Sequence, residues 1–265
     1  MSPRVQASRH DHTAHRFLRA AAELIDASLA PSTQARPARL RSLDFPAALH
    51  WVRVDDVVHI AAASAGTGVS RKAFHNRWAT KDEFVRDAVL YTLQYADDPA
   101  VDPDTFVRML PELATGSFAR GLCHVADSLL THLESHPRSY LLLHLGPVIG
   151  QHPYLDQAVQ QSIRKTREAW HVGYLDVLTR MGARPRPGWP IERIELALQA
   201  MLDGFLVRGR LQPTEMRDAT WDGASLFADT VIAFTIGVVE PAGEDSTGSR
   251  VMLDRLLGRP PYPGE

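Results

Sequence analysis

The sequence has a single cysteine, only three lysines and no long apolar run. One cysteine excludes an internal disulfide framework and is typical of a reducing compartment. No stretch of roughly 18 apolar residues is present, so no membrane span is expected. Residues 1–16 also lack the apolar segment of a secretion signal. We therefore expect a cytoplasmic protein that has no membrane partner.

Charge is unevenly distributed along the chain. The net charge is −2 overall, yet residues 1–90 carry 13 Lys and Arg against 9 Asp and Glu, a net of +4. The remaining residues carry 16 against 22, a net of −6. A basic N-terminal part on an acidic body is the distribution expected if only the first part meets phosphate.

The most informative segment is GVSRKAFHNRWATKDEF, residues 68–84. Phe74 and Trp78 are four residues apart, so we expect both on the inward face of a short helix. The opposite side carries Lys72, Ala73 and Asn76, flanked by Arg71, His75 and Arg77. This side is cationic, bears an amide and has almost no acid, which favours a DNA major groove. An ordinary solvated helix face is the alternative interpretation.

Capping signals divide this segment into two helices. Ser70 is a suitable N-cap for the short helix. Thr80 and Glu83 have capping-box spacing, which predicts a second helix from Lys81 to about Tyr95.

The segment resembles the recognition region of tetracycline-repressor-type (TetR) regulators, G-V-S-x-x-x-[LF]-Y-x-[HY]-F-x-[ST]-K-[ED]-x-[LF]. The matching positions are Gly68, Val69, Ser70, Phe74, Thr80, Lys81, Asp82 and Phe84, with Trp78 in the aromatic position. His75 replaces the family's usual tyrosine, and Arg77 stands where histidine or tyrosine is common. The resemblance is specific over residues 53–95 and weaker elsewhere.

The resemblance implies an all-α fold, in which a three-helix helix-turn-helix DNA-binding domain precedes a larger helical domain for ligand binding and dimerisation. The expected divisions are an N-terminal arm (1–13), the DNA-binding domain (14–95), the effector and dimerisation domain (96–240) and a tail (241–265). The first two helices correspond to residues 15–30 and 54–66. Insertions at residues 31–50 and 67–68 depart from the family pattern.

The resemblance also implies a function and its residues. We expect a homodimeric regulator, most simply a repressor, that binds a palindromic operator and is released by a small-molecule effector. DNA contacts are expected from Ser70, Arg71, Lys72, Ala73, His75, Asn76, Arg77 and Lys81. Double-stranded DNA and an effector are thus the expected partners, with no cofactor, metal or catalytic residue.

Helical spacing continues through the rest of the chain. Further helices are predicted at 102–113, 122–133, 139–149, 154–181, 191–209 and 223–239, with a linker at 240–248 and a short helix at 250–257. Pro111 should kink or end the first of these. No strand is predicted. In the family, the last two long helices form the dimer interface, which assigns this role to 191–209 and 223–239. Their apolar stripes are equally typical of a monomer core.

An effector pocket in the second domain is implied by the resemblance. Candidate lining residues are His124, Asp127, His144, Trp170, Tyr174 and Met201, polar or aromatic groups among apolar ones. Taken singly, each is more typical of a core.

Other patterns support different functions only weakly. His10, His12 and His15 form a tract that binds metals in some proteins, but such tracts alone are weak evidence. Cys123 is flanked by apolar residues and indicates a core position. The basic run at residues 36–41 favours an exposed loop over a phosphate contact. The alternative function is an all-α enzyme or ligand-binding protein on the same scaffold that does not bind DNA.

Overall fold

The structure is a computed structural model. It describes residues 33–42, 49–50, 52–65, 70–95, 102–114, 117–243, 246, 248–249, 252 and 256. These residues are mainly helical, which confirms the all-α class. The helix predicted at residues 15–30 lies outside the described residues, as does most of the one predicted at 250–257.

The α-helices of the described part are α1 (Val54–Ala65), α2 (Arg71–His75), α3 (Lys81–Leu93), α4 (Phe118–Ser135), α5 (Leu141–Leu145), α6 (Pro153–Arg180), α7 (Ile191–Leu211), α8 (Pro213–Asp218) and α9 (Leu226–Val238). The 3-10 helices are Thr33–Ala35, Ala38–Leu40, Pro103–Ala114, Pro137–Tyr140 and Gly146–Gln151. Two short strands, β1 (Ala183–Pro185) and β2 (Val239–Pro241), pair antiparallel.

Local capping explains where several helices begin and end. Ser225 precedes α9, and its hydroxyl accepts a hydrogen bond from the backbone N–H of Ala228 at 3.1 Å. Gly182 follows α6 with a φ of +60°, a conformation that costs glycine little and that terminates helices. The predicted end of this helix at Gly182 is therefore confirmed.

The expected single helix at residues 139–149 is wrong. Only Leu141–Leu145 is α-helical, between the 3-10 helices Pro137–Tyr140 and Gly146–Gln151. Pro147 has no backbone N–H, and its ring would clash with a carbonyl one turn earlier. The segment Pro103–Ala114 is likewise 3-10 rather than α, and it contains Pro111.

The prediction of no strand is also wrong, because β1 and β2 form a strand pair. β1 pairs with β2 in the register Ala183 to Pro241 and Pro185 to Val239. The predicted linker at 240–248 therefore begins inside a strand. Three residues are too few for a period-two pattern, so the sequence gives no signal here.

The described residues group into two compact units. The first contains residues up to Tyr91 together with Leu141–Gln160, and the second contains Thr92–Tyr140 with everything from Gln161 onward. Helical spacing does not specify which unit a segment packs in, so the grouping of residues 141–160 with the N-terminal part was not predicted.

Two apolar clusters among the described residues contribute to the core of the second unit. In the first, Leu110, Val125 and Val177 are buried together from three elements. In the second, Ile191 and Ile194 of α7 pack with Val238 of α9. Tyr174 of α6 contacts both clusters, so this part of α6 is packed in the second unit.

Candidate functional site

The short helix α2 is defined by its caps. Ser70 has an extended backbone, and its hydroxyl accepts a hydrogen bond from the backbone N–H of Ala73 at 3.1 Å. At the other end, the Asn76 N–H returns to the carbonyl of Lys72. The predicted N-cap is confirmed. The preceding residues 66–69, including the matched Gly68 and Val69, lie outside the described residues.

The capping box of α3 is also confirmed. The Thr80 hydroxyl accepts from the backbone N–H of Glu83 at 3.2 Å, and the Glu83 carboxylate accepts from the N–H groups of Thr80 and Ala79 at 3.3 and 2.9 Å. These bonds satisfy N–H groups that a helix start would otherwise leave unpaired. The chain therefore turns between α2 and α3 at a defined position.

Three aromatic rings join α2 to α3. The ring centroids of Phe74, Trp78 and Phe84 lie 4.9–5.0 Å from one another. The Trp78 indole donates to the Asp87 carboxylate at 2.9 Å, and this bond is the main reason that the pKa of Asp87 is lowered. Phe74 is buried, as the sequence predicted. The rings therefore orient α2, and its polar side is left facing solvent.

The structure gives each proposed DNA-contacting residue a definite exposure. The exposed ones are Ser70, Arg71, Lys72, His75, Asn76 and Arg77, whereas Ala73 and Lys81 are half-buried. The Lys81 ammonium donates to the backbone carbonyl of His50 at 3.4 Å. Seven of them lie in or directly beside α2 and Lys81 begins α3; these eight residues are here called the α2 surface.

Asp55 on α1 is an acidic neighbour that the linear pattern did not reveal. Its carboxylate lies 3.5 Å from the Arg71 guanidinium. Both side chains are mostly exposed, and such surface pairs contribute only about 0–1 kcal/mol. Arg71 is therefore held loosely and is free to exchange this partner for another anion.

The described residues of the segment 31–50, which departs from the TetR-like pattern, make hydrogen bonds with the rest of the chain and with one another. Arg36 is buried and donates to the side-chain oxygen of Gln151. The Arg41 guanidinium donates to the carbonyls of Arg36 and Gln34 at 3.1 and 3.2 Å. The prediction of an exposed basic loop at 36–41 is therefore wrong for Arg36 and for the buried Leu40. Arg39 and Arg41 are the exposed cations of this segment.

The expected pocket residues do not form one group. Trp170 and Tyr174 are neighbours on α6, with ring centroids 5.6 Å apart, and both pack against the cluster of Leu110. Asp127 instead accepts a hydrogen bond from the backbone N–H of Ser225 at 3.3 Å.

The other three expected pocket residues are scattered. His124 is exposed on α4, Met201 is half-buried on α7, and His144 belongs to the first unit whereas the other five belong to the second. Trp170 and Tyr174 are therefore the pair that the structure brings together.

An acidic group that sequence reasoning missed lies beside this pair. Glu195 on α7 exposes only 8% of its surface, and one carboxylate oxygen is 2.8 Å from Nδ1 of His171. Burial raises the pKa of Glu195, with His171 opposing the shift. Burial, reinforced by the charge of Glu195, also raises the pKa of the Tyr174 hydroxyl far above its usual range. In the sequence, this group could have been found as an acidic residue, Glu195, within the apolar stripe of α7.

The described residues do not support a metal site or a reactive cysteine. In the part of the chain that is described, no three His, Cys, Asp or Glu side chains are grouped as a metal site would require. The tract of His10, His12 and His15 lies outside that part. Cys123 is half-buried, and burial raises the pKa of its thiol, which disfavours a reactive thiolate. No described helix is long and apolar enough to cross a bilayer.

No protein-family model, curated protein or solved structure matches this chain significantly.

Proposed function

We infer that the chain is a homodimeric transcriptional regulator, acting as a repressor, whose α2 surface binds the major groove of operator DNA. The observation that carries this proposal is the α2 surface itself. Its cationic and amide side chains project to solvent from a capped turn whose other side is held by Phe74, Trp78 and Phe84. The TetR-like order of these residues along α1, α2 and α3 supports a helix-turn-helix.

Each polar group has a role suited to its chemistry. Arg71, Lys72, Ala73 and the C-cap residue Asn76 are assigned to base edges, where an arginine or lysine reads guanine and an asparagine reads adenine. His75, Arg77 and Lys81 are suited to phosphates, which position the protein without specifying sequence. Ser70 caps the first turn of α2.

Dimerisation follows from the same proposal, because one five-residue helix offers few DNA contacts. Two copies roughly 34–36 Å apart would read successive turns of a palindrome. Exposed apolar side chains on α7 and α9 suit a contact with a second copy: Leu196, Val207, Leu211, Leu226 and Ile236. An effector bound in the second unit would then change DNA affinity by about 1–3 kcal/mol of coupling.

A gel-shift experiment with the DNA upstream of its own gene tests the proposal. Changing Lys72 and Asn76 together to alanine is expected to weaken binding by roughly tenfold or more, since each base contact contributes about 1–3 kcal/mol. The matched control changes Gln161 and Arg164 to alanine, which also removes one exposed amide and one exposed cation, but from α6. Affinity should also fall steeply with added salt. Equal binding by both double variants would overturn the assignment of the α2 surface.

A further inference from the structure

Glu195 is buried without enough partners for a carboxylate. Its Oε1 is paired with His171, but its Oε2 is buried and has no hydrogen-bond partner among the described residues. Buried charged groups are normally satisfied at each oxygen, because an unmade hydrogen bond costs the full desolvation of that atom. An unpaired oxygen on a buried carboxylate is therefore evidence for a donor that comes from outside the chain.

The surroundings of Glu195 are apolar and aromatic. Ile191 and Ile194 on the same helix are core residues of a cluster that Tyr174 and Trp189 also contact. Among the described residues, His171 is the basic group within ion-pair distance of Glu195, while Arg167 and Glu192 act on it from farther away. Among the described residues, no lysine or arginine is within ion-pair distance of this carboxylate, and the turn of α7 beside it carries core residues.

Access to the pair is not closed. The His171 side chain is 31% exposed, so solvent reaches the partner of Glu195 although Glu195 itself is covered. A small organic molecule entering beside His171 would meet an anionic acceptor together with aromatic rings, the combination that binds apolar cations.

We propose that Oε2 of Glu195 anchors a ligand in which a protonated amine or amidine is attached to an apolar, aromatic body. His171 is a positioning residue, since its bond to Oε1 fixes the orientation of the carboxylate. The ligand's N–H groups donate to Oε2, and its apolar part packs against Tyr174 and neighbouring side chains. In naming the chemical class of the effector, this inference rests on the proposed function.

The first arm of the test uses the unchanged full-length chain and three probes of similar shape. Isothermal titration at pH 7 compares 4-phenylbutylamine, 4-phenylbutanol and 4-phenylbutanoate. The amine is expected to bind roughly tenfold tighter than the alcohol, because a charge-assisted hydrogen bond replaces a neutral one, and the carboxylate should bind weakest. If the alcohol or the carboxylate binds as tightly as the amine, the proposal is overturned.

The second arm assigns the anchor. Glu195→Gln keeps the shape and an acceptor for His171 but removes the charge, so amine binding should weaken about tenfold while alcohol binding changes little. Glu215→Gln removes an exposed acid on α8 that does not act on Glu195 and should leave both unchanged. Unchanged amine binding in Glu195→Gln would overturn the assignment. If that variant does not fold, the comparison of the three probes on the unchanged chain still decides.

Gel shifts without ligand, run in parallel, separate this inference from the proposed function. Selective amine binding by a chain that does not bind DNA would retain the site and reject the regulator. DNA binding without amine selectivity would retain the regulator and reject the site.

Discussion

Two acidic side chains of the second unit, Glu240 and Glu195, are buried, and a third, Asp203, is half-buried. Glu240 accepts hydrogen bonds from Arg184 and Arg186 at 3.1 Å each, so its charge is balanced within the chain. Glu195 has His171 on one oxygen only. Asp203 on α7 has a single hydrogen bond, from the Gln199 side chain at 3.0 Å. The cost of removing the charge from water is therefore offset fully for Glu240, partly for Glu195 and least for Asp203.

Asp203 provides a prediction about pH. Burial raises the pKa of its carboxyl, and the hydrogen bond from Gln199 opposes the shift. A carboxyl with a raised folded-state pKa contributes stability that is fully present below its unfolded pKa and is lost as pH rises through the folded pKa. At pH 7 that contribution is absent. Asp203→Asn, which cannot ionise and still accepts from Gln199, should therefore raise the free energy of unfolding by on the order of 0.5 kcal/mol.

The measurement is urea denaturation of Asp203→Asn and the unchanged chain between pH 7 and pH 4. The advantage of the variant should shrink as pH falls toward the unfolded pKa of about 3.9. Asp218→Asn, at an exposed position, serves as the control and should show no such trend. A constant difference across the pH range would contradict the burial argument.

Helix starts were the elements best predicted from the sequence. The Ser70 cap and the Thr80–Glu83 box lie where the local residues indicated. Each depends on atoms three residues apart, so no distant contact is needed to create it. The 3-10 stretch Pro103–Ala114 and the interrupted segment at 137–151 were not foreseen, because apolar spacing at three and four residues suits both helix types.

The cap of α3 gives a prediction for local stability. Thr80→Ala removes the acceptor of the Glu83 N–H and should cost about 1 kcal/mol. Amide exchange in the first turn of α3, followed by mass spectrometry, should become about fivefold faster. Thr131→Ala, on an exposed position within α4, is the matched control, since alanine is the better helix former there. Equal exchange in the α3 peptide of both variants would show that the cap contributes nothing.

At the scale of the whole molecule, the two helices proposed to dimerise, α7 and α9, carry exposed apolar side chains. Ile236 on α9 is 63% exposed in the single chain. Val172 on α6 is similarly exposed, at 68%, but lies outside these helices. Ile236 and Val172 therefore allow a position in the proposed interface to be compared with an apolar surface position outside it.

Analytical ultracentrifugation at micromolar concentration should find a dimer. Ile236→Glu is expected to shift it to monomer, because an unpaired carboxylate in an interface costs several kcal/mol. Its unfolding midpoint should fall only by the stabilisation that dimerisation supplied, and it should no longer depend on protein concentration. Val172→Glu should stay dimeric. A monomeric unchanged chain, or two variants that dimerise equally, would refute the assignment of α9.

The linear order of residues determined several features that depend on neighbours within about one helical turn. It determined the helical class, the caps of α2 and α3, and the inward placement of Phe74 and Trp78. Tertiary structure decided the partners that lie farther along the chain: Asp55 beside Arg71, Gln151 beside Arg36, and His171 on Glu195, 24 residues away. The physical reason is that local pattern specifies which face is apolar, whereas packing selects which distant surface meets that face and which polar atom is left unpaired.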